Sequence, residues 1–178
     1  MKDILVVSHC ILNTASKVAM DESELAEEYM QRDGLIRTVL DKNVQLLQLP
    51  CPEFIMYGSR RWGHVRDQFD NPFFRAKCRE LLEPIVLQLR EYYGNPDKFR
   101  IVCVVSVEGS PSCGHRLTCR AEDWGGELGS TICQNGGSGR QVRMTDEAGI
   151  YMEELELMLK ENNLDIPILS ISEAAKRL

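Results

Sequence analysis

Four short apolar runs, separated by intervals long enough for helices, constrain the fold of this 178-residue chain more than any other feature. The runs cover residues 4–7, 44–49, 101–107 and 166–171. The first and third are almost uninterrupted, which is the pattern of a parallel strand covered on both faces. Gln45 and Gln48 interrupt the second run, and Pro167 in the fourth favours a strand start or a sheet edge.

Helical patterns fill the intervals between these runs. The first helix is predicted to begin near Asp21, and the second at Asn71, which a proline follows as in many helix starts. Pro84 lies inside the second pattern and is expected to kink or divide that helix. A third helix is predicted over residues 145–159, and a last short one after Ser170.

The alternation of strand and helix predicts the fold class. We expect one α/β domain over residues 1–178, with a small, mostly parallel sheet of about four strands between two layers of helices. Residues 109–143 depart from the alternation, because they contain eight glycines and three cysteines and show no clear period. A loop of this length inside a compact domain is usually functional or mobile.

Composition excludes several classes of protein. The net charge of −6 argues against binding to a nucleic acid polymer, which normally requires a basic face. No apolar run approaches the roughly 18 residues of a membrane-spanning helix, so no membrane association is expected. The first residues contain too short an apolar stretch for a secretory leader, so we expect a cytoplasmic location.

Three of the seven cysteines follow predicted strands. Cys10 comes after the first strand, Cys51 after the second and Cys113 after the third. Because the carboxyl ends of parallel strands meet at one edge of a sheet, these thiols are expected to come together there. Cys78 and Cys103 instead lie on a helix core face and inside a strand, where cysteine usually fills core space.

Three thiols at one sheet edge predict a metal centre. An odd number of cysteines in a reducing compartment points to thiol or metal chemistry rather than to a disulfide framework. Thiolates suit iron–sulfur clusters or zinc, and the sequence has no C-x-x-C pair of the kind that zinc ribbons use. Three protein ligands leave one metal position open, where a substrate can bind as a Lewis base.

The residues around these cysteines resemble a known family. Residues 8–12 (Ser-His-Cys-Ile-Leu), 51–53 (Cys-Pro-Glu) and 109–114 (Gly-Ser-Pro-Ser-Cys-Gly) are similar to the three signature segments of the thiouracil desulfidase family. The resemblance implies a small α/β domain that carries a 4Fe-4S cluster on three cysteines. It also implies removal of sulfur, as hydrogen sulfide, from a thiolated nucleobase or related thiocarbonyl compound without net redox change.

The resemblance assigns roles to residues of this chain. Cys10, Cys51 and Cys113 become the cluster ligands, and Glu53 becomes the acid/base that activates water. Ser110 or Ser112 becomes a contact to the substrate, a small thiolated molecule. The substrate itself and the oligomeric state are not predicted.

Two other functions and several residues stay open at this point. A zinc or iron–sulfur sensor or sulfur-carrier module would keep the three cysteines but not require Glu53 to face the metal. A nucleotide-binding domain would need a glycine-rich loop after the first strand, which is absent. Alternatives also remain for several further residues. A base-binding cluster or a surface loop is predicted for Tyr57, Arg60, Arg61 and Trp62, and a hydrogen-bond donor near the metal or no role for His9 and His115. Cys119 and Cys133 are a fourth ligand, a redox pair or neither, and residues 136–140 form an anion-binding nest or a lid.

Overall fold

A computed structural model describes residues 1–20, 22–121 and 142–178. The strands among these residues are β1 (Lys2–Val7), β2 (Gln45–Gln48), β3 (Phe99–Val105), β4 (Thr118–Arg120), β5 (Arg143–Thr145) and β6 (Ile168–Leu169). The helices are α1 (His9–Leu12), α2 (Glu22–Asp41), α3 (Pro52–Tyr57), α4 (Arg66–Phe69), α5 (Pro72–Tyr93), α6 (Ile150–Glu161) and α7 (Ile171–Arg177), with a 3₁₀ turn at Thr14–Ser16.

The central sheet is parallel and confirms the predicted α/β fold. Its strand order is β2-β1-β3-β6, so β1 pairs with β2 on one side and with β3 on the other. The chain therefore reverses its direction of progress across the sheet between β1 and β3. In open α/β sheets, such a switch point opens a crevice at the carboxyl ends of the strands.

Helices cover both faces of the sheet. α5 packs with α6, α2 packs with α7, and β3 contacts both α5 and α7. Residues 4–7 of β1 and 102–105 of β3 are consequently buried without alternation. β2 is the edge strand, and its glutamines are exposed to solvent. The uninterrupted apolar runs thus mark the two central strands, as the sequence pattern predicts.

The helix ends follow the local chemistry of the sequence. Asn71 Oδ1 accepts hydrogen bonds from the backbone N–H groups of Phe73 and Phe74 at the start of α5. Ser170 and Glu173 form a capping box at the start of α7. Asp21, predicted to begin α2, lies outside the described residues.

Two sequence predictions about helices need correction. Pro84 does not divide α5, which runs without a break from Pro72 to Tyr93. Leu82 and Ile85, on either side of Pro84, are both buried in the core. The third helix begins at Ile150 rather than at Thr145, because residues 143–145 form a strand.

That strand belongs to a small antiparallel ribbon that the sequence did not predict. β4 pairs with β5, with Cys119 opposite Met144. Residues 109–143 are therefore not one continuous loop, since both described ends of this interval contain regular structure. Strands of three residues are too short to show a period of two. No helix in the described ranges is both long and apolar enough to span a bilayer. The assignment of residues 1–178 to one domain stays a prediction.

Candidate metal centre and acid/base site

A cavity of about 310 Å³ lies at the carboxyl end of the sheet. All six residues predicted for the site line it: Cys10, Cys51, Glu53, Ser110, Ser112 and Cys113. They come from three segments that follow β1, β2 and β3. The structure brings these residues together because parallel strands end at a common edge. Their roles stay predictions.

Short helices place two of the cysteines. Cys10 lies in α1, immediately after β1, and Ser8 ahead of it donates a hydrogen bond from Oγ to the carbonyl of Val105 at the end of β3 (3.2 Å). Cys51 is the N-cap of α3, and its Sγ accepts the N–H of Phe54 at 3.4 Å. A sulfur at an N-cap is in a favourable place to become a thiolate, since the helix dipole stabilises negative charge there.

The third cysteine lies in a tightly folded segment after β3. Ser110 Oγ accepts the N–H of Cys113 at 3.0 Å, and the N–H of Val107 donates to the carbonyl of Cys113 at 2.8 Å. A Cβ on Gly114 would lie 2.1 Å from the carbonyl oxygen of Leu117, so this position has room only for glycine. The Gly-Ser-Pro-Ser-Cys-Gly segment therefore has the composition that this compact turn requires.

Burial makes the three thiols hard to ionise. It raises the pKa of Cys10 to about 12, and it also raises the pKa of Cys51. Burial raises the pKa of Cys113 well above its usual value, and the neighbouring Cys51 and Cys10 raise it further. The three sulfurs are therefore close enough for a charge on one to affect the ionisation of another. A positively charged iron centre among them would reverse this balance and favour three thiolates.

Glu53 lies beside the cysteines at the start of α3 and is buried. Its Oε1 accepts a hydrogen bond from the hydroxyl of Ser112 at 2.5 Å, and its Oε2 lies 3.5 Å from Nε of Arg61. Ser112 Oγ is also 3.5 Å from Sγ of Cys113. A carboxylate is thus linked to a cysteine of the trio through one hydroxyl, which places acid/base and thiol chemistry side by side.

The guanidinium group of Arg61 is buried and is bonded to protein atoms on the cavity wall. Its side chain is only 4% exposed, and its Nη2 donates to the carbonyl of Ser16 at 2.6 Å. Nη1 donates to the carbonyl of Gly58 at 3.0 Å. Arg61 therefore holds Glu53 and the wall of the cavity in place.

Several functional residues were missed by the sequence analysis. Glu108 lines the cavity and accepts the backbone N–H groups of His115, Arg116 and Leu117. Lys17 and Glu28 form an ion pair on the cavity wall, and Lys17 lowers the pKa of Cys10. These contacts join residues that are 7 to 11 positions apart. Of these residues, only Glu108, the acidic residue that follows the third predicted strand, could have been singled out from the sequence.

The remaining sequence candidates are distributed differently. Cys119 lines the cavity, whereas Trp62 is 73% exposed and is not part of its lining. His9 pairs through Nδ1 with Nε2 of Gln48 at 2.7 Å, and His115 Nε2 lies 3.8 Å from Glu156. Cys133 and residues 136–140 lie outside the described residues.

The start of α6 locks the Cys113 segment in place. The N–H of Gly149 donates to the carbonyl of Gly114 at 2.9 Å, and the N–H of Ile150 donates to that of Pro111 at 3.0 Å. A Cβ on Gly149 would lie 2.6 Å from the backbone carbon of Ser112 and 2.7 Å from its oxygen. Helix and turn can approach this closely only because residue 149 is glycine.

Gly149→Ala should therefore lower the free energy of unfolding by about 1–3 kcal/mol, because backbone atoms must shift to admit the methyl group. Gly34→Ala is the matched control. Gly34 lies in α2 with no atom within 4 Å of an added Cβ, so alanine there should stabilise the protein by about 0.5–1 kcal/mol. Urea unfolding of both variants measures the difference. Equal stabilities for the two variants would contradict the close packing at Gly149.

The donor set limits which metal groups the site fits. Cys10, Cys51 and Cys113 are not in disulfides. Among the described residues, no three His, Cys, Asp or Glu side chains are grouped so as to hold a metal ion. Thiolates are the ligands of iron–sulfur clusters, so a donor set of three thiols on the wall of one cavity fits such a group, and zinc accepts the same donors.

Sequence comparison identifies a relative from an archaeon. The chain is 36% identical over 112 residues to Uncharacterized protein MJ0003 of Methanocaldococcus jannaschii, which is 63% of this chain and 67% of the relative. The chain belongs to the family of this archaeal protein. The relative's name states no activity, so family membership brings no function with it. No family profile and no solved structure matches the chain.

Proposed function

We propose that this protein is a cytoplasmic desulfidase that removes sulfur from a thiolated nucleobase or related thiocarbonyl compound by hydrolysis. The observation that carries the proposal is the single cavity shared by three cysteines from three strand ends and by a buried carboxylate. A thiol trio alone would serve a sensor or sulfur carrier equally well. The hydrogen bond from Ser112 to Glu53 adds a proton-transfer group within the same cavity, which turnover requires.

Cys10, Cys51 and Cys113 would hold a 4Fe-4S cluster, since all three line the same cavity and thiolates are the ligands of such clusters. When bound, the cluster supplies a Lewis acid that draws electron density from a thiocarbonyl sulfur. The Cys51 N-cap and the neighbouring Lys17 both favour negative charge on the sulfur side of the cavity. Burial outweighs both effects in the metal-free protein, so binding of the metal group would itself have to displace the thiol protons.

Glu53 is the proton acceptor of the proposed reaction. Its carboxylate takes one proton from a water molecule, whose oxygen forms a bond to the thiocarbonyl carbon. The hydroxyl group so formed on that carbon then loses its proton as the C–S bond breaks and a carbonyl forms. The two protons and the departing sulfur combine as hydrogen sulfide. Carbon exchanges sulfur for oxygen at the same oxidation level, so no oxidant or reductant is consumed.

Ser112 and Arg61 keep Glu53 in position for this step. The Ser112 hydroxyl occupies Oε1 and Arg61 lies beside Oε2, so the carboxylate cannot rotate freely. Ser110 and Ser112 are on the cavity wall, with their Oγ atoms 3.3 Å apart. Because Ser112 donates its single hydroxyl proton to Glu53, Ser110 is the serine that can donate to a polar edge of a bound base. Apolar side chains complete the wall beside them and suit a planar ring: Met20, Leu25, Val65, Val107 and Met144.

The test is a reconstitution followed by an activity assay. Protein purified without oxygen and supplied with iron and sulfide should bind about four irons, turn brown, and release sulfide from thiolated pyrimidines, purines or nucleosides. The carbonyl product should form in equal amount to the sulfide. A cluster without sulfide release from any of these compounds would favour the sensor or carrier. Colourless protein that binds one zinc ion would contradict the proposal.

A further inference from the structure

Tyr151 is a fully buried tyrosine whose hydroxyl has no hydrogen-bond partner among the described residues. It occupies the second position of α6, next to the residues that bond to the Cys113 segment. A buried O–H group without a partner destabilises the folded protein relative to one that is bonded. Phenylalanine would fill the same volume without this cost, so the oxygen calls for a physical explanation.

The surroundings of the Tyr151 hydroxyl are rich in sulfur. Burial raises the pKa of this hydroxyl, and the nearby thiols of Cys113, Cys78 and Cys51 raise it further. Two of these three belong to the cavity trio, and Cys78 is a core residue of α5. Tyr151 is buried and does not line the cavity, and its hydroxyl makes no hydrogen bond to any of these thiols. Its donor capacity is therefore unused in the metal-free protein.

The backbone fixes Tyr151 relative to Cys113. The N–H of Ile150 donates to the carbonyl of Pro111 at 3.0 Å, and the N–H of Met152 donates to that of Ser112 at 3.1 Å. The residues on both sides of Tyr151 are thus bonded to the residues that precede Cys113. The backbone around Tyr151 is therefore already fixed before the proposed metal group binds.

We propose that Tyr151 is a positioning residue that donates a hydrogen bond from its hydroxyl to the Cys113 thiolate of the loaded site. This inference rests on the proposed function, since it requires that the cysteine trio hold an iron–sulfur cluster. Hydrogen bonds to the sulfurs of a cluster withdraw electron density from them, which raises the reduction potential and retards loss of iron. Tyr151 would thereby help to retain the cluster and set its potential.

Tyr151→Phe isolates the hydroxyl, and Tyr92→Phe is the matched control. Tyr92 packs edge-to-face on Phe99 at the far end of β3, away from the trio. Each variant is purified without oxygen, and the metal-free and cluster-loaded forms are studied separately. The measurements are the thermal midpoint of the metal-free protein, the reduction potential of the cluster, and the rate at which EDTA bleaches its visible absorption.

For Tyr151→Phe we expect an unchanged or higher thermal midpoint in the metal-free form, because an unsatisfied polar group is removed. In the loaded form we expect a lower potential and bleaching about tenfold faster than in the wild type. Tyr92→Phe should match the wild type in potential and bleaching rate. A potential and bleaching rate equal to those of the wild type in Tyr151→Phe would overturn the inference alone. A wild-type protein that takes up no iron would overturn the proposed function and, with it, this inference.

Discussion

Cys113→Ser should abolish cluster binding and lower sulfide release by at least about a hundredfold. Cys113 is the most deeply enclosed thiol of the trio, and its position is set by the hydrogen bonds that fold residues 107–114 into a compact turn. Serine keeps the size of the side chain but replaces a soft sulfur ligand with a hydroxyl that is far harder to ionise. Iron content, the visible spectrum and the rate of sulfide release measure the effect.

The matched control for this variant is Cys103→Ala. Cys103 is fully buried inside β3, and burial raises its pKa to about 11, but it is not part of the cavity lining. Its loss should lower stability by about 1–2 kcal/mol and leave iron content unchanged. If Cys113→Ser kept the iron and the activity, the trio would not be the metal site. If Cys103→Ala also lost the iron, general destabilisation would explain both results.

Glu53→Gln should lower the rate of sulfide release by about 10²- to 10⁴-fold while iron content stays at the wild-type level. The amide keeps the shape of the side chain and a hydrogen-bonding group for Ser112, but it cannot accept a proton from water. Because Glu53 lies among the cysteines without being one of the proposed ligands, the loss should fall on turnover rather than on cluster binding. Single-turnover assays on protein of known iron content measure this directly.

A carboxylate that is not part of the cavity lining provides the comparison for Glu53. Glu27 is exposed on α2, so Glu27→Gln should retain the wild-type rate. Ser112→Ala should give an intermediate loss, because Glu53 then keeps Arg61 but loses its closest hydrogen-bond donor. Full activity in Glu53→Gln would remove this residue from the mechanism and would point to a different base.

The fold could be predicted because its signals are local. Uninterrupted apolar runs identified β1 and β3, and the caps at Asn71 and Ser170 identified the starts of α5 and α7. The errors occurred where local signals were weak or were overridden. The ribbon of β4 and β5 is too short to show a period, and the packing of α5 into the core prevents Pro84 from dividing it.

The candidate site was predictable in part for the same reason. Three cysteines directly after three strands must lie near one edge of a parallel sheet, whatever the details of packing. Glu53 and the serines followed from the segments that carry Cys51 and Cys113. The partners of these residues were not predictable, because Arg61 reaches Glu53 through a side-chain contact that no spacing rule describes.

The sequence by itself determined the alternation of strands and helices and the parallel direction of the strands. It therefore also determined the edge of the sheet at which Cys10, Cys51 and Cys113 would meet. These properties depend on the hydrophobic periodicity and on the lengths of the connections between strands, which can be read directly from the sequence. Only the tertiary structure decided that Ser112 would bond to Glu53, that Glu108 would hold the turn around Cys113, and that Gly149 would bring α6 against that turn. Such contacts depend on how separate elements pack in three dimensions, and a difference of one ångström between packed elements creates or removes them.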